Sequence, residues 1–286
     1  MTVAIQRHVP SCWCEDARHP LFLPAMNCTH RKTSGSGSSI EPLEMRQLLS
    51  AAAVGPAGAL RVSGDPDIGT QIVVGLSADR KSILVTFDAG SAQSFPASSV
   101  KKLQIDGGAG DDVIRIDESF APFGRDVLID ARAGNDSIVS GGERDAIFAG
   151  AGDDTILDSG GANRIFGGAG NDSITCNGKG RDILFGGEGN DVILAGPGRD
   201  IVFDLSGQDM VFGGDQRDTL LVGPDATAFG EGGEDSLITV RGGNAQLNGG
   251  GDKGDAEKRT SLKLIEQSMQ GFIHRMNLPP ELRAEI

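Results

Sequence analysis

The stretch GGAGNDSIT, Gly167–Thr175, decides how the chain is read. It spends three glycines on a turn, then one aspartate, Asp172, then one large apolar residue, Ile174, set between small hydroxyl side chains. The same nine-residue plan runs upstream as ARAGNDSIV from Ala131, SGGERDAIF from Ser140, AGAGDDTIL from Ala149 and DSGGANRIF from Asp158. Downstream, with Cys176 read as an extra residue, it continues as NGKGRDILF from Asn177, GGEGNDVIL from Gly186, AGPGRDIVF from Ala195, DLSGQDMVF from Asp204 and GGDQRDTLL from Gly213. An earlier copy, GGAGDDVIR, starts at Gly107, and a later one, GEGGEDSLI, at Gly230. The eighth place is Ile138, Ile147, Ile156, Ile165, Ile174, Leu184, Ile193, Val202, Val211 and Leu220. In a three-residue strand the flanking side chains point one way and the middle one the other, so this row forms the core of a narrow coil.

The repeat resembles the hemolysin-type, or RTX, nonapeptide GGxGxDxUx. That resemblance covers most of residues 107 to 251. It implies an all-β parallel β-roll with two nonapeptides per turn and several Ca²⁺ ions between stacked loops on the same side. The residue chemistry stands beside the name. Glycine adopts φ > 0 and lets backbones approach closely, so the turn aims carbonyl oxygens at one point, and the Asp at the sixth place adds a charged oxygen. Calcium accepts six to eight oxygens of both kinds in flexible geometry. The expected ligands are Asp112, Asp136, Asp154, Asp172, Asp191 and Asp209, with the turn glycines Gly134, Gly150, Gly152, Gly168, Gly170, Gly187 and Gly189.

If alternate repeats stack, the loops form two columns. Those at 131, 149, 167 and 186 keep the family pattern, except that Ala131 and Arg132 replace the first glycine pair. In the other column Arg144, Arg181, Arg199 and Arg217 stand at the fifth place, beside the Asp. Arginine supplies donors and a competing cation, so calcium is expected mainly in the first column, with Arg and Asp paired in the second. The alternative is that these arginines point to solvent. The ninth place holds Phe148, Phe166, Phe185 and Phe203, expected to stack as a bare aromatic ladder on one outer face.

Composition bounds the function. The chain has 286 residues, a net charge of −14, 43 glycines, 12 Phe, one Trp and no Tyr. The acidic balance argues against nucleic acid and favours cations or basic partners. No apolar run reaches bilayer-spanning length. The spacing of Cys12, Cys14, Cys28 and His30 is not that of a common zinc finger, and this set reads as part of an unstructured tail, in which Met26 offers an alternative start. Of the four histidines, His8, His19, His30 and His274, no two stand four apart, which removes an HExxH zinc protease, and no GxSxG nucleophile elbow occurs. The chain therefore does not read as an enzyme.

Residues 1–59 read as a disordered leader. Within it, IEPLEMRQLLSAAA, Ile40–Ala53, resembles the LEPR-XLL motif found near the start of many large bacterial surface and secreted proteins, on Leu43, Glu44, Arg46, Leu48 and Leu49, with Met45 where that motif has Pro. The resemblance implies secretion or sorting; the residues alone fit a plain helical leader equally well. Residues 60–106 carry strand signals, LRVSG, TQIVVGLS, SILVTF and SVKKLQID, expected to form a small antiparallel meander that caps the β-roll of residues 107–255. Residues 256–286 read as an amphipathic helix and tail, with Leu262, Ile265, Met269, Phe272, Ile273 and Met276 at helical spacing. That helix is expected either to lie on the Phe ladder or to leave the ladder as a surface for self-association or a partner. The sequence thus reads as a secreted or surface-associated bacterial calcium-binding module, with an adhesin-like binder of extracellular protein or carbohydrate as the alternative. A hydrolase using paired carboxylates ranks third.

Overall fold

In each repeat the glycine turn reverses direction and the three residues after the Asp are extended, so the chain passes from one sheet to the other every nine residues. The computed structural model describes residues 50–119, 121–252 and 254–260. Within them, twenty-two strands fall into two eleven-stranded sheets. Strands Ala146–Ala151, Arg164–Ala169, Ile183–Glu188 and Ile201–Asp204 follow one another in the first sheet. Thr155–Asp158, Ser173–Cys176, Val192–Leu194 and Met210–Asp215, which alternate with them along the chain, follow one another in the second. Neighbours pair in parallel, Ile147 opposite Ile165 and Ile156 opposite Ile174, so two nonapeptides make one coil. This is the expected parallel β-solenoid.

The eighth-place ladder is the core. Ile138, Ile147, Ile165, Ile174, Leu184, Ile193, Val202, Val211 and Leu220 are fully buried between the sheets. Burying each such side chain contributes about 1.5–3 kcal/mol, and the coil has little other apolar matter to bury. Cys176 is not the extra residue that the spacing suggested. It pairs with Asp158 and is buried in the strand, so the insertion falls in the loop that follows.

The N-terminal cap is divided between the sheets rather than built as one meander. Ala59–Ser63 pairs in parallel with Lys102–Ala109, and Gln71–Leu76 in parallel with Val113–Asp117, so these strands already form the first coil. Antiparallel pairing is confined to the edges, where Ala51–Val54 joins Ala59–Ser63, and Gln71–Leu76, Ser82–Phe87 and Gln93–Pro96 follow one another. The edge strands so formed are only four residues long, and Gln93–Pro96 ends in proline, which blunts them as templates for another chain. Two expectations are corrected at their described ends. Ala51–Val54, in the leader expected to be disordered, is a strand, and Ala256–Thr260, expected to open the C-terminal helix and tail, is a strand beside Ser236–Val240. Residues 1–49, with the matched positions of the LEPR-like motif, and residues 261–286 lie outside the described residues.

The Phe ladder forms, with ring centroids 4.6, 4.7 and 4.9 Å apart along Phe148, Phe166, Phe185 and Phe203. It is not bare: these rings are only 2–7 % exposed, with Ile183, Ile201 and Leu205 packed against them. The exposed outward apolar side chains lie instead on the second sheet, at Val113, Leu157, Val192, Leu194 and Met210, 38–44 % exposed. Stacked rings cover one another's faces, whereas the intervening Ser173 and Thr175 are too short to cover a leucine.

Gly168 has φ +117°, and a Cβ there would lie 1.9 Å from the carbonyl oxygen of Gly150 in the previous coil. Gln216 holds a left-handed conformation, φ +80°, without being glycine. Gly168→Ala should therefore cost about 3 kcal/mol or more, and Gln216→Gly should gain about 1 kcal/mol, read from melts at fixed calcium.

Candidate metal centre

Each first-sheet strand delivers the chain into a loop, where the sixth-place Asp folds back beneath its own glycine turn, as Asp172 does beneath Gly167. In the first column these carboxylates form a continuous ladder. The Asp112 N–H donates to Asp136 Oδ1 at 2.7 Å, Asp136 to Asp154 at 2.7 Å, Asp154 to Asp172 at 2.9 Å, Asp172 to Asp191 at 2.8 Å and Asp191 to Asp209 at 3.2 Å. Thr70 N–H donates to Asp112 Oδ1 at 2.6 Å, so GDPDIGT, Gly64–Thr70, is the first loop of this column, although its sequence reads only as a turn.

One carboxylate oxygen is thereby spent on the coil before it; the other is not. Oδ2 of Asp112, Asp136, Asp154, Asp172, Asp191 and Asp209 is buried with no hydrogen-bond partner. Nearly all buried polar groups in folded proteins are satisfied, so a row of orphaned anionic oxygens must bind either protons or a cation. Backbone oxygens converge with them. A Cβ on Gly167 would lie 2.4 Å from Asp172 Oδ2 and 2.6 Å from the Gly186 carbonyl oxygen, so mixed oxygens converge at the bare Cα. At Ala131 and Ala149 a methyl occupies the equivalent place. Each of the expected glycines from Gly134 to Gly189 has positive φ, as the close stacking of loops requires.

The second column carries the same kind of ladder, which corrects the expected pairing of its arginines with the sixth-place Asp. Asp182 N–H donates to Asp200 Oδ1 at 2.8 Å, Asp200 to Asp218 at 2.7 Å and Asp218 to Asp235 at 2.9 Å, and Asn163 takes one rung. Oδ2 of Asp145, Asp182, Asp200, Asp218 and Asp235 is also orphaned. Among the described residues no ion pair or hydrogen bond joins the fifth-place arginines to these oxygens, although the Arg181 charge favours ionised Asp200. Arg144 pairs with Asp126 at 3.4 Å and Arg217 with Glu234, all four side chains more than half exposed. The difference between columns is confined to the outer rim. There the first column carries a hydrogen-bonded ladder instead, Asp153 N–H to Asn135 and Asn171 N–H to Asp153, both at 2.7 Å. The second-column aspartates were visible at the sixth place of the repeat; the adjacent Arg was misread as their partner because the fifth and sixth side chains leave opposite sides of the loop.

These features define a parallel β-solenoid with two columns of buried, oxygen-lined cation seats. The model of the RTX calcium-binding nonapeptide repeat matches residues 104–115, 124–147, 139–174, 178–202 and 185–220, in four copies, so these residues carry that repeat. No curated protein matches the chain significantly. The repeats bind Ca²⁺, and the orphaned carboxylates show that the residues present fit several ions. No helix among the described residues is long and apolar enough to cross a membrane.

Burial raises the carboxyl pKa along both columns, to about 6 for Asp112, Asp154, Asp182 and Asp209, about 7 for Asp136, Asp172 and Asp218, and about 8 for Asp200. The donated backbone N–H works against burial in each case. Since the folded values exceed the ordinary 3.8, the folded state holds these protons more tightly than the unfolded chain. Their contribution to stability is complete below about pH 4 and is lost as pH rises through 6 to 8. Calcium-free protein should accordingly melt at a higher temperature at pH 5 than at pH 8, and saturating Ca²⁺ should remove that loss. Equal calcium-free melting temperatures across this range would contradict the proton-or-cation account.

Proposed function

We propose that the chain is a non-enzymatic, secreted or surface-associated module whose β-roll completes its folding when calcium fills both loop columns. The observation that carries this reading is the double row of buried Oδ2 atoms without partners. Bound Ca²⁺ supplies positive charge between ionised carboxylates. The chain's part is to place those carboxylates: each Oδ1 is locked to the preceding coil, so each Oδ2 is held at a set height along the column. Free energy of ion binding then becomes free energy of folding, and a chain at low external calcium stays loose until it meets a calcium-rich medium. The ligands proposed are Asp112, Asp136, Asp154, Asp172, Asp191 and Asp209, with the loops of Gly134, Gly150, Gly152, Gly168, Gly170, Gly187 and Gly189. Asp145, Asp182, Asp200, Asp218 and Asp235 join them from the second column.

Circular dichroism during calcium titration tests the reading. The chelated chain should lose β signal or melt at a lower temperature, and recover at about 10⁻⁴–10⁻³ M Ca²⁺, the range of extracellular modules. Asp172→Asn and Asp200→Asn should each lower the number of ions bound, because the two columns are equivalent. A loss from Asp172→Asn alone would restore the one-column reading. Identical melts in chelator and in millimolar Ca²⁺ would remove the calcium-folding reading altogether.

The exposed apolar side chains of the second sheet favour an adhesin-like role as the second reading, since an inert spacer has no use for Leu157, Leu194 and Met210 at its surface. Leu194→Ser with Met210→Ser should then reduce attachment to extracellular protein or carbohydrate at unchanged calcium uptake.

A further inference from the structure

One residue breaks the pattern of the first column. Two places after the buried core residue of each first-sheet strand the next inward position falls, and the residues there are Gly107, Ala131, Ala149, Gly167 and Gly186, then Asp204. Val202 points into the core and Phe203 lies in the outer ladder, so alternation sends Asp204 inward, where it is 1 % exposed. Neither of its oxygens has a partner at ordinary hydrogen-bond geometry, although the Gly187 N–H is close enough to favour the charged carboxylate. Carboxylate oxygens of Asp191, Asp204 and Asp209 lie within 4.8 Å of one another, and all three side chains are buried. They converge on one point: a Cβ added to Gly186 would lie 2.5 Å from Asp191 Oδ2 and 2.6 Å from Asp204 Oδ2. Glycine at 186 is what leaves room for the third carboxylate.

We propose that Asp191, Asp204 and Asp209 form a three-carboxylate seat for one divalent cation, filled by Ca²⁺ ahead of every other seat in the roll. This rests on the calcium reading above and singles out one seat within it. Among the described residues this is the one group of three carboxylates whose oxygens lie so close together; Asp158, at the same place in the second column, accepts from Ser140 through Oδ1 and has Asn163 where Asp204 has Asp209. The affinity of an oxygen-ligand calcium site rises with the number of charged ligands and with its rigidity. Asp204 adds the charge, and its parallel pairing with Val222 supplies the rigidity. Filling this seat first would lock the coils of Ile183–Glu188 and Ile201–Asp204 together and give the remaining loops a fixed edge on which to order.

The test is isothermal titration of the full chain with CaCl₂, comparing wild type, Asp204→Asn and Asp204→Gly, the last restoring the residue found at positions 167 and 186. Wild type should show one ion bound at least tenfold more tightly than the rest, and both variants should lose that class while keeping the weaker ones. Melting in chelator separates a metal seat from a packing role. Removing an unpaired buried carboxylate should raise the calcium-free melting temperature of Asp204→Asn, whereas loss of a structural contact would lower it. Variant titrations superimposable on wild type, or a lower calcium-free melting temperature with the tight class intact, would overturn the proposal. Wild type that binds no calcium at millimolar concentration would instead remove the calcium reading on which it stands. Should Asp204→Asn not fold, Asp204→Gly decides the question by the same titration.

Discussion

Everything in this molecule hangs on one hydrogen bond repeated along two edges: the backbone N–H of each loop's Asp donates to Oδ1 of its counterpart one coil on. Strand pairing sets the coils at sheet spacing, but the sheets end where the loops begin, and glycine-rich loops have the most conformational freedom to lose. The side-chain bond continues the ladder through the turns. It satisfies an N–H that would otherwise be buried without a partner, and it does so with a charged acceptor, the stronger kind. The same bond holds each carboxylate's second oxygen inside, where it has no partner within the protein. Stability of the turn and demand for a cation are thus two consequences of one contact.

The dependence is mutual. A column of orphaned carboxylates, burial-raised in pKa, is poorly stable at neutral pH without either protons or ions, and the core is too thin to compensate. From Ser137 to Asp215 each strand contributes essentially one fully buried large aliphatic side chain, such as Ile165 or Ile174. A globular domain of similar length would place several per strand. If calcium fills the columns as proposed, it stands where a thicker hydrophobic core stands in other folds. The two outer faces are less constrained: one carries the shielded Phe ladder, the other the exposed Leu and Val residues of the second sheet, and neither is needed to hold the loops in place.

Much of this was legible in the residues. The nine-residue period, the glycines at turn places and the single inward aliphatic at the eighth place specify a coil of short strands, because no other structure has that period with one buried residue per repeat. The first-column aspartates were legible for the same reason, since Asp is the one ionisable side chain kept at the sixth place. Cys12, Cys14, Cys28, His30 and the helix around Phe272 remain sequence readings alone.

Tertiary structure alone decided the rest. Which way the fifth side chain leaves the loop depends on the loop's φ values and its stacking on the next coil, so Arg144 and Arg217 looked like partners of their neighbouring aspartates and turned out to serve the outer rim. That Ala59–Ser63 and Gln71–Leu76 belong to the first coil depends on parallel partners some forty residues away, which a local pattern of strand and turn does not encode. The convergence of Asp191, Asp204 and Asp209 was invisible for a related reason. Asp204 opens its repeat and reads in sequence as a lost glycine. Only the stacking of successive coils brings it beside Asp191, and only the missing side chain of Gly186 gives it room. Sequence determined the period, the turn chemistry and the supply of carboxylates; three-dimensional stacking determined which of their oxygens were left without a partner, because that is a property of neighbouring coils and not of any one repeat.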